Sequence, residues 1–181
     1  MYKIAALLAL LASPSFATNL EIDVAGEANG TIVIKLRDDL APLHVAQIVA
    51  LAQAGAYDNV VFHRVIDGFM AQTGDVLNGK AGGDLSAAGT GGSDMPDLAA
   101  EFSDEPFARG TVGMARSQDP DSANSQFFIM FAPGDFLNGQ YTVIGEVTSG
   151  LDVLDAIKRG EGQSGAVSGE PDVMTAVRVT E

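Results

Sequence analysis

Hydrophobic and polar residues alternate from the first strong pattern in the chain. Leu20, Ile22 and Val24 are separated by Glu21 and Asp23, the period of a half-buried strand. Turn residues at 26–30 lead into a second alternating run at 31–36, TIVIKL, so the two read as a hairpin. The period then changes. Val45, Ile48, Val49 and Ala52 recur at helical spacing across 39–54, with Asp39 as the expected cap, Pro42 near the first turn and Gly55 beyond the end. Residues 60–66, VVFHRVI, form a β-branched and aromatic run. The Asp67-Gly68 pair follows, and 69–72, FMAQ, then reads as the returning strand.

The second half is less regular. Residues 76–97 are rich in Gly, Asn, Ser and Asp and read as a long loop, a class that is usually functional or mobile. Apolar pieces at 98–102 and 107–110 lead into a strand at 111–117, TVGMARS. A polar turn at 118–124 separates it from the aromatic strand 125–131, SQFFIMF, in which Gln126 and Phe128 share one face and Phe127 and Ile129 the other. A loop at 134–141, a strand at 142–147, a short helix at 152–157 stopped by Gly160, a Gly/Ser-rich loop at 161–170 and a closing strand at 173–180 complete the chain. About eight strands with two widely separated helices predict a mainly β fold. The expected form is a closed eight-stranded antiparallel barrel capped by two α-helices, one over each open end. No internal repeat or linker divides it.

The N-terminus stands apart. Lys3 precedes the apolar run 4–12, IAALLALLA, and Ser15-Phe16-Ala17 follows. The run is too short to span a bilayer, and small residues at 15 and 17 match a secretory cleavage site. The expectation is a signal peptide at 1–17, a single domain at 18–181 and export, in a diderm bacterium to the periplasm; the competing reading is a retained anchor. No second long apolar run follows, so no stable membrane insertion is expected after cleavage. Ten Lys and Arg face 24 Asp and Glu, for a formal net charge of −14. Such a surface repels phosphate backbones and anionic membranes, which argues against nucleic acid as a partner. The chain has no cysteine and therefore no disulfide.

Candidate chemistry is narrow. His44 and His63 are the two histidines; no Gly-x-Ser-x-Gly elbow and no zinc-spaced ligand set is present. His44, alone in the first turn of a helix, is assigned no function. The piece 89–92, GTGG, lacks the Lys-Ser/Thr and following helix of a phosphate loop. Asp119, Asp121 and Asn124 lack the Gly and Glu of a calcium loop. No metal or cofactor is expected. What remains is one Arg inside an apolar hairpin, Arg64, with Gln72 in the partner strand. An unpaired charge in an apolar setting is costly, and Asp67 and Glu101 are the candidate structural partners for it. Phe69, Met70, Gln126, Phe128, Phe136 and Leu137 could cluster around the same hairpin.

The stretches FHRVIDGFMAQTGD and SQFFI, together with GTVGMARS and DFLNGQYTVIGEV in the same order, resemble the signatures of the cyclophilin family of peptidyl-prolyl isomerases. The similarity runs from about residue 19 to the C-terminus and implies the same barrel with two capping helices. It implies that Arg64 is the catalytic arginine, that Phe69, Met70, Phe128 and Leu137 wall a proline pocket, and that Gln72 and Gln126 stand beside it. Ala115 and Arg116 match a strand edge whose backbone holds the substrate. Arg116 stands where the family often has Asn, Phe136 where many eukaryotic members have Trp, and Tyr141 where many have His.

The implied activity is rotation about X-Pro bonds in unfolded or flexible polypeptides, as a monomer aiding the folding of exported proteins. The alternative is a non-catalytic peptide-binding module using the same groove. Strict alternation would put Phe69 on the face opposite Met70 and Gln72, so a pocket role for it requires a break in regular pairing near Gly68.

Overall fold

In the computed structural model, the described residues are 18–181; the signal peptide expected at 1–17 lies outside them. The strands are β1 (Asn19–Ala25), β2 (Gly30–Leu36), β3 (Val60–Val61), β4 (Arg64–Ile66), β5 (Met70–Thr73), β6 (Thr111–Met114), β7 (Phe127–Met130), β8 (Val143–Ser149) and β9 (Val173–Thr180). The helices are α1 (Pro42–Gln53) and α2 (Leu151–Ala156), with single 3-10 turns at Leu85–Ala87 and Asp135–Leu137. All nine strands belong to one curled antiparallel sheet in the order β3-β9-β1-β2-β8-β6-β7-β5-β4.

Nine strands stand where eight were expected because the run 60–66 is interrupted at Phe62 and His63. Its first residues pair with β9 and its last with β5. Between them the backbone passes from β9 to the 160s loop: Phe62 N–H donates to Asp172 O, just before β9, at 2.9 Å, and His63 O accepts from Val167 N–H at 3.1 Å. The two ends of the strand order are thus consecutive in the chain.

Alternation sorts the apolar residues into two cores. Leu20, Ile22, Ile32, Ile34, Phe62, Val65, Phe127 and Ile129 fill the main one. Met70, Phe107, Phe128, Met130, Leu137 and Val143 form a second, on the other face of the sheet. Neighbours in β7 therefore serve different cores, and Phe127 and Phe128 are both buried. The Tyr57 ring meets Phe127 edge-on at 5.7 Å, and its hydroxyl donates to Ser125 O at 2.8 Å inside the main core. Burial pushes that phenol's pKa upward.

Helix α1 lies beside β9 and α2 beside β2. The cap on α1 differs from expectation. Ala41 is the N-cap residue and supplies no side-chain bond, while Asp39 pairs with Arg37. The Glu101 carboxylate does the capping from a distant loop, accepting from Leu43 N–H at 3.1 Å and His44 N–H at 3.0 Å. It also bonds His44 Nδ1 at 2.6 Å, and the His44 ring is fully buried. A local Asp lost to a remote Glu because Arg37 holds Asp39 through two bonds.

Replacing Glu101 with Ala strands the first-turn donors of α1. We expect a loss of about 1–2 kcal/mol in urea unfolding, with Glu101→Gln in between. A loss below a few tenths would show that water caps the helix equally well.

Candidate active site

The site begins as a row of residues across neighbouring strands. Arg64 faces Gln72 in the β4–β5 ladder, Gln72 faces Phe128 between β5 and β7, Phe128 faces Gly113 between β7 and β6, and Gly113 faces Val143 on β8. Residues paired directly across a sheet project to the same side, so Arg64 is placed at one end of the second core. Gly113 has no side chain for a packing reason. A Cβ there would lie 2.5 Å from Phe107 and 2.6 Å from Phe128, two rings that stack at 5.7 Å.

A pocket of about 280 Å³ opens on this face, lined by Arg64, Phe69, Met70, Gln72, Ala115, Arg116, Phe128, Phe136, Leu137 and Tyr141. Ten of the eleven residues proposed from the sequence thus meet in one cavity. The eleventh, Gln126, lines an adjoining polar pocket of about 500 Å³ with Thr90, Gly91, Ser93 and Asn124, and Gln72, Ala115 and Arg116 border both. Met70, Phe128 and Leu137 are buried, and Phe136 stands 66% exposed at the rim.

Phe69 reaches the pocket because it is not in a strand. Its N–H donates to Ile66 O at 3.0 Å, closing a turn, and its carbonyl accepts from Phe131 N–H. Gly68 takes a φ of 69°, a left-handed value that glycine adopts at little cost. The returning strand therefore starts at Met70 rather than at 69, and the expected break in pairing is present. The freed Phe69 ring packs against Phe136 at 5.4 Å.

The guanidinium of Arg64 is half-buried and has neutral partners. Nε donates to Ser164 O at 3.0 Å and Nη1 to Gln72 Oε1 at 3.1 Å, with Met70 Sδ at 3.9 Å from Nη1. Neither suggested carboxylate reaches it: Asp67 pairs with Arg159 and Glu101 with His44. Arg37, Arg109, Arg178 and Lys158 also hold carboxylates, whereas Arg64 and Arg116 hold none among the described residues. Burial lowers the Arg64 pKa, but a guanidinium starts so high that it stays charged.

Arg116 lies over the Tyr141 ring at 4.4 Å and donates to Ser117 O and Gln140 O at 2.8 and 2.9 Å. Tyr141 in turn meets Phe128 edge-on at 5.8 Å. Strand β6 ends at Met114, earlier than expected. Ala115 N–H still donates to Gln126 O at 2.9 Å, and beyond it the backbone borders the open groove.

Three features escaped the sequence reading. The 89–92 loop is a wall of the site: Gly91 O accepts from Gln126 Nε2 at 2.7 Å. Its Gly89 and Gly91 N–H groups are taken up by Asp75, so they are not free to cradle a phosphate. The loop at 161–170 supplies the carbonyl that holds Arg64 Nε. His63, next in sequence to Arg64, is buried with both ring nitrogens unpartnered. The β4–β5 alternation placed Arg64 and gave no sign of loops arriving from 91 and 164. Among the described residues no group of three or more His, Cys, Asp or Glu is placed to hold a metal ion, and no helix is long and apolar enough to cross a membrane.

A family model for cyclophilin-type peptidyl-prolyl cis-trans isomerases matches residues 20–179. The chain belongs to this family. It is 62% identical over 151 residues to a Brucella suis protein named Probable peptidyl-prolyl cis-trans isomerase, covering 82% of this chain and 77% of the relative. It is 37% identical over 175 residues to peptidyl-prolyl cis-trans isomerase B of Escherichia coli, covering 84% and 96%. Among solved structures, a Hirschia baltica cyclophilin superposes with a TM-score of 0.71 at 25% identity, covering 88% of this chain and 73% of that one. A Cryptosporidium parvum cyclophilin-type isomerase, solved in the presence of the dipeptide Ala-Pro, has the same fold with a TM-score of 0.76 at 24% identity, covering 90% and 99%. The cyclophilin fold accounts for the curled sheet and two helices.

His63 carries a pH consequence. Burial, first, and the neighbouring Arg64 charge push its pKa below the ordinary 6.5, against the opposing pull of Asp75. A base whose folded pKa is depressed binds its proton more readily when unfolded. Its neutral form is therefore fully accommodated above pH 6.5, and stability falls as the pH drops from there toward the lowered folded value. Urea midpoints measured from pH 7.5 to 5 should decline, and His63→Gln should flatten that decline. An unchanged slope in the variant would assign the effect elsewhere.

Proposed function

We propose that the pocket binds proline and that this cyclophilin-family chain accelerates cis–trans rotation about X-Pro bonds. The observation that carries the reading is a guanidinium without a carboxylate, held by neutral acceptors at the edge of an apolar pocket. Rotation about the peptide bond must cross a barrier of roughly 18–20 kcal/mol set by amide resonance. In the twisted state the prolyl nitrogen is pyramidal and its lone pair is free. A donor aimed at that nitrogen stabilises the twisted state more than the planar one, which is what lowers the barrier. Arg64 Nη2, which has no protein partner among the described residues, is the donor. Gln72 fixes the guanidinium plane. Phe69, Met70, Phe128 and Leu137 grip the ring, Phe136 and Tyr141 shape the rim, and the backbone at Ala115 and Arg116, with Gln126 beyond, holds the flanking peptide. No nucleophile takes part.

The substrates are proline-containing, unfolded or flexible polypeptides, and the protein acts as a monomer. The run at 4–12 and the small residues at 15 and 17 support cleavage after Ala17, export, a periplasmic location and a role in folding exported proteins. β3 and β4 are best counted as one interrupted strand. The nine strands then become eight, with the covalent chain at Phe62 and His63 closing the barrel.

Cis-to-trans conversion of a short X-Pro peptide tests the reading. Arg64→Ala should slow it by about 10²–10³-fold, the range for loss of one transition-state donor, with little change in the urea midpoint. Equal rates for the two proteins would remove Arg64 from catalysis. Peptide binding by the native chain without acceleration would make it a binding module instead.

A further inference from the structure

We infer that Asp75 is a positioning residue for Arg64, acting through a chain of hydrogen bonds that runs from a buried carboxylate to the guanidinium. The inference rests on the catalytic role proposed for Arg64.

Asp75 is completely buried just after β5 and lines neither pocket of the site. Its Oδ1 accepts from Leu77 N–H at 3.2 Å and Asn78 N–H at 2.8 Å. Its Oδ2 accepts from Gly89 N–H at 2.7 Å and Gly91 N–H at 2.9 Å. One side chain thus ties the start of the glycine-rich loop to its end. A buried carboxylate is tolerated where such donors surround it.

The loop end it holds carries the Gly91 carbonyl. That oxygen accepts from Gln126 Nε2 at 2.7 Å, Gln126 Oε1 accepts from Gln72 Nε2 at 3.0 Å, and Gln72 Oε1 accepts from Arg64 Nη1 at 3.1 Å. Every link points the same way. An amide has one accepting end and one donating end, so an acceptor at Gly91 dictates how Gln126 faces. Gln126 then dictates how Gln72 faces, and Gln72 presents oxygen rather than nitrogen to Arg64. Without the Gly91 carbonyl in place, either amide can turn over. A turned Gln72 would offer a donor to a donor, and Arg64 would lose the contact that sets its plane.

The fit at Gly91 provides a second handle. A Cβ there would lie 2.5 Å from Asp75 Oδ1 and 2.9 Å from Leu77 Cβ. Gly91→Ala therefore pushes the loop off Asp75 while leaving the carboxylate intact, whereas Asp75→Asn adds no bulk and loosens the loop by setting an amide NH2 against two of the four N–H donors.

The test measures kcat and KM for an X-Pro peptide with Asp75→Asn and Gly91→Ala, each in the native and the Arg64→Ala backgrounds. Where Asp75→Asn does not fold, Gly91→Ala carries the comparison. With Arg64 present, each variant should lower kcat about tenfold, a cost in line with misplacing a reacting group. KM should hold within about twofold, as for an interaction made in the transition state alone. With Arg64→Ala, neither should slow the reaction further. The Arg64 Nε–Hε NMR resonance should shift in both single variants. Losses that persist undiminished beside Arg64→Ala would overturn the inference and mark Asp75 as a support of the groove, as would full activity in a folded variant. Equal rates for the native protein and Arg64→Ala alone would instead sink the proposed catalytic role, and this inference with it.

Discussion

A positive charge held by neutral acceptors organises this molecule. Elsewhere on a strongly acidic chain, Arg37, Arg109, Arg159, Arg178 and Lys158 are paired with carboxylates. A carboxylate beside Arg64 would satisfy its donors and quench the field in the groove. Carbonyl and amide oxygens orient the guanidinium and leave its charge uncompensated. The cost of keeping that charge half-buried falls on the surrounding structure: a strand partner at Gln72, a loop carbonyl at Ser164, and a buried Asp75 three links beyond Gln72.

The two-sided sheet makes the arrangement possible. β7 gives Phe127 to the main core and Phe128 to the second, so the floor of the pocket is as firmly packed as the main core. Gly113 leaves the space in which Phe107 and Phe128 stack. The rim is different in kind. Phe136 is largely exposed on a single 3-10 turn, and Phe69 sits in a tight turn, so the two aromatic residues that meet there belong to loops. A rigid floor with a looser rim suits a task in which one ring is held while the preceding carbonyl swings.

Much of this was visible in order along the chain. Alternation located the strands, and the pairing of Arg64 with Gln72 follows from one short turn between them. The family resemblance added the pocket walls, and the pocket contains all of them. The errors came where a local rule met a distant competitor. Asp39 has the chemistry of a cap, but Arg37 engages it and Glu101 caps α1 instead. The run 60–66 has the composition of one strand, but Asp172 takes the N–H of Phe62 and the 160s loop takes the carbonyl of His63. The glycines at 89–92 read as bare turns because their partner, Asp75, is separated from them by a whole loop.

Periodicity and residue type, being local, determined which segments are extended, which are helical, and that a lone arginine lies in an apolar hairpin beside a glutamine. They could not determine which oxygens that arginine would find. Ser164 O and Gly91 O reach the site, and the Asp75 carboxylate holds the second of them from behind, in loops whose sequences carry no period and whose donors and acceptors are mainly backbone groups common to every residue. Hydrogen-bond demand alone does not name its partner. Only the curling of the sheet, with β4 between β5 and the 160s loop, decided that Arg64 would be held by neutral groups and left free to act.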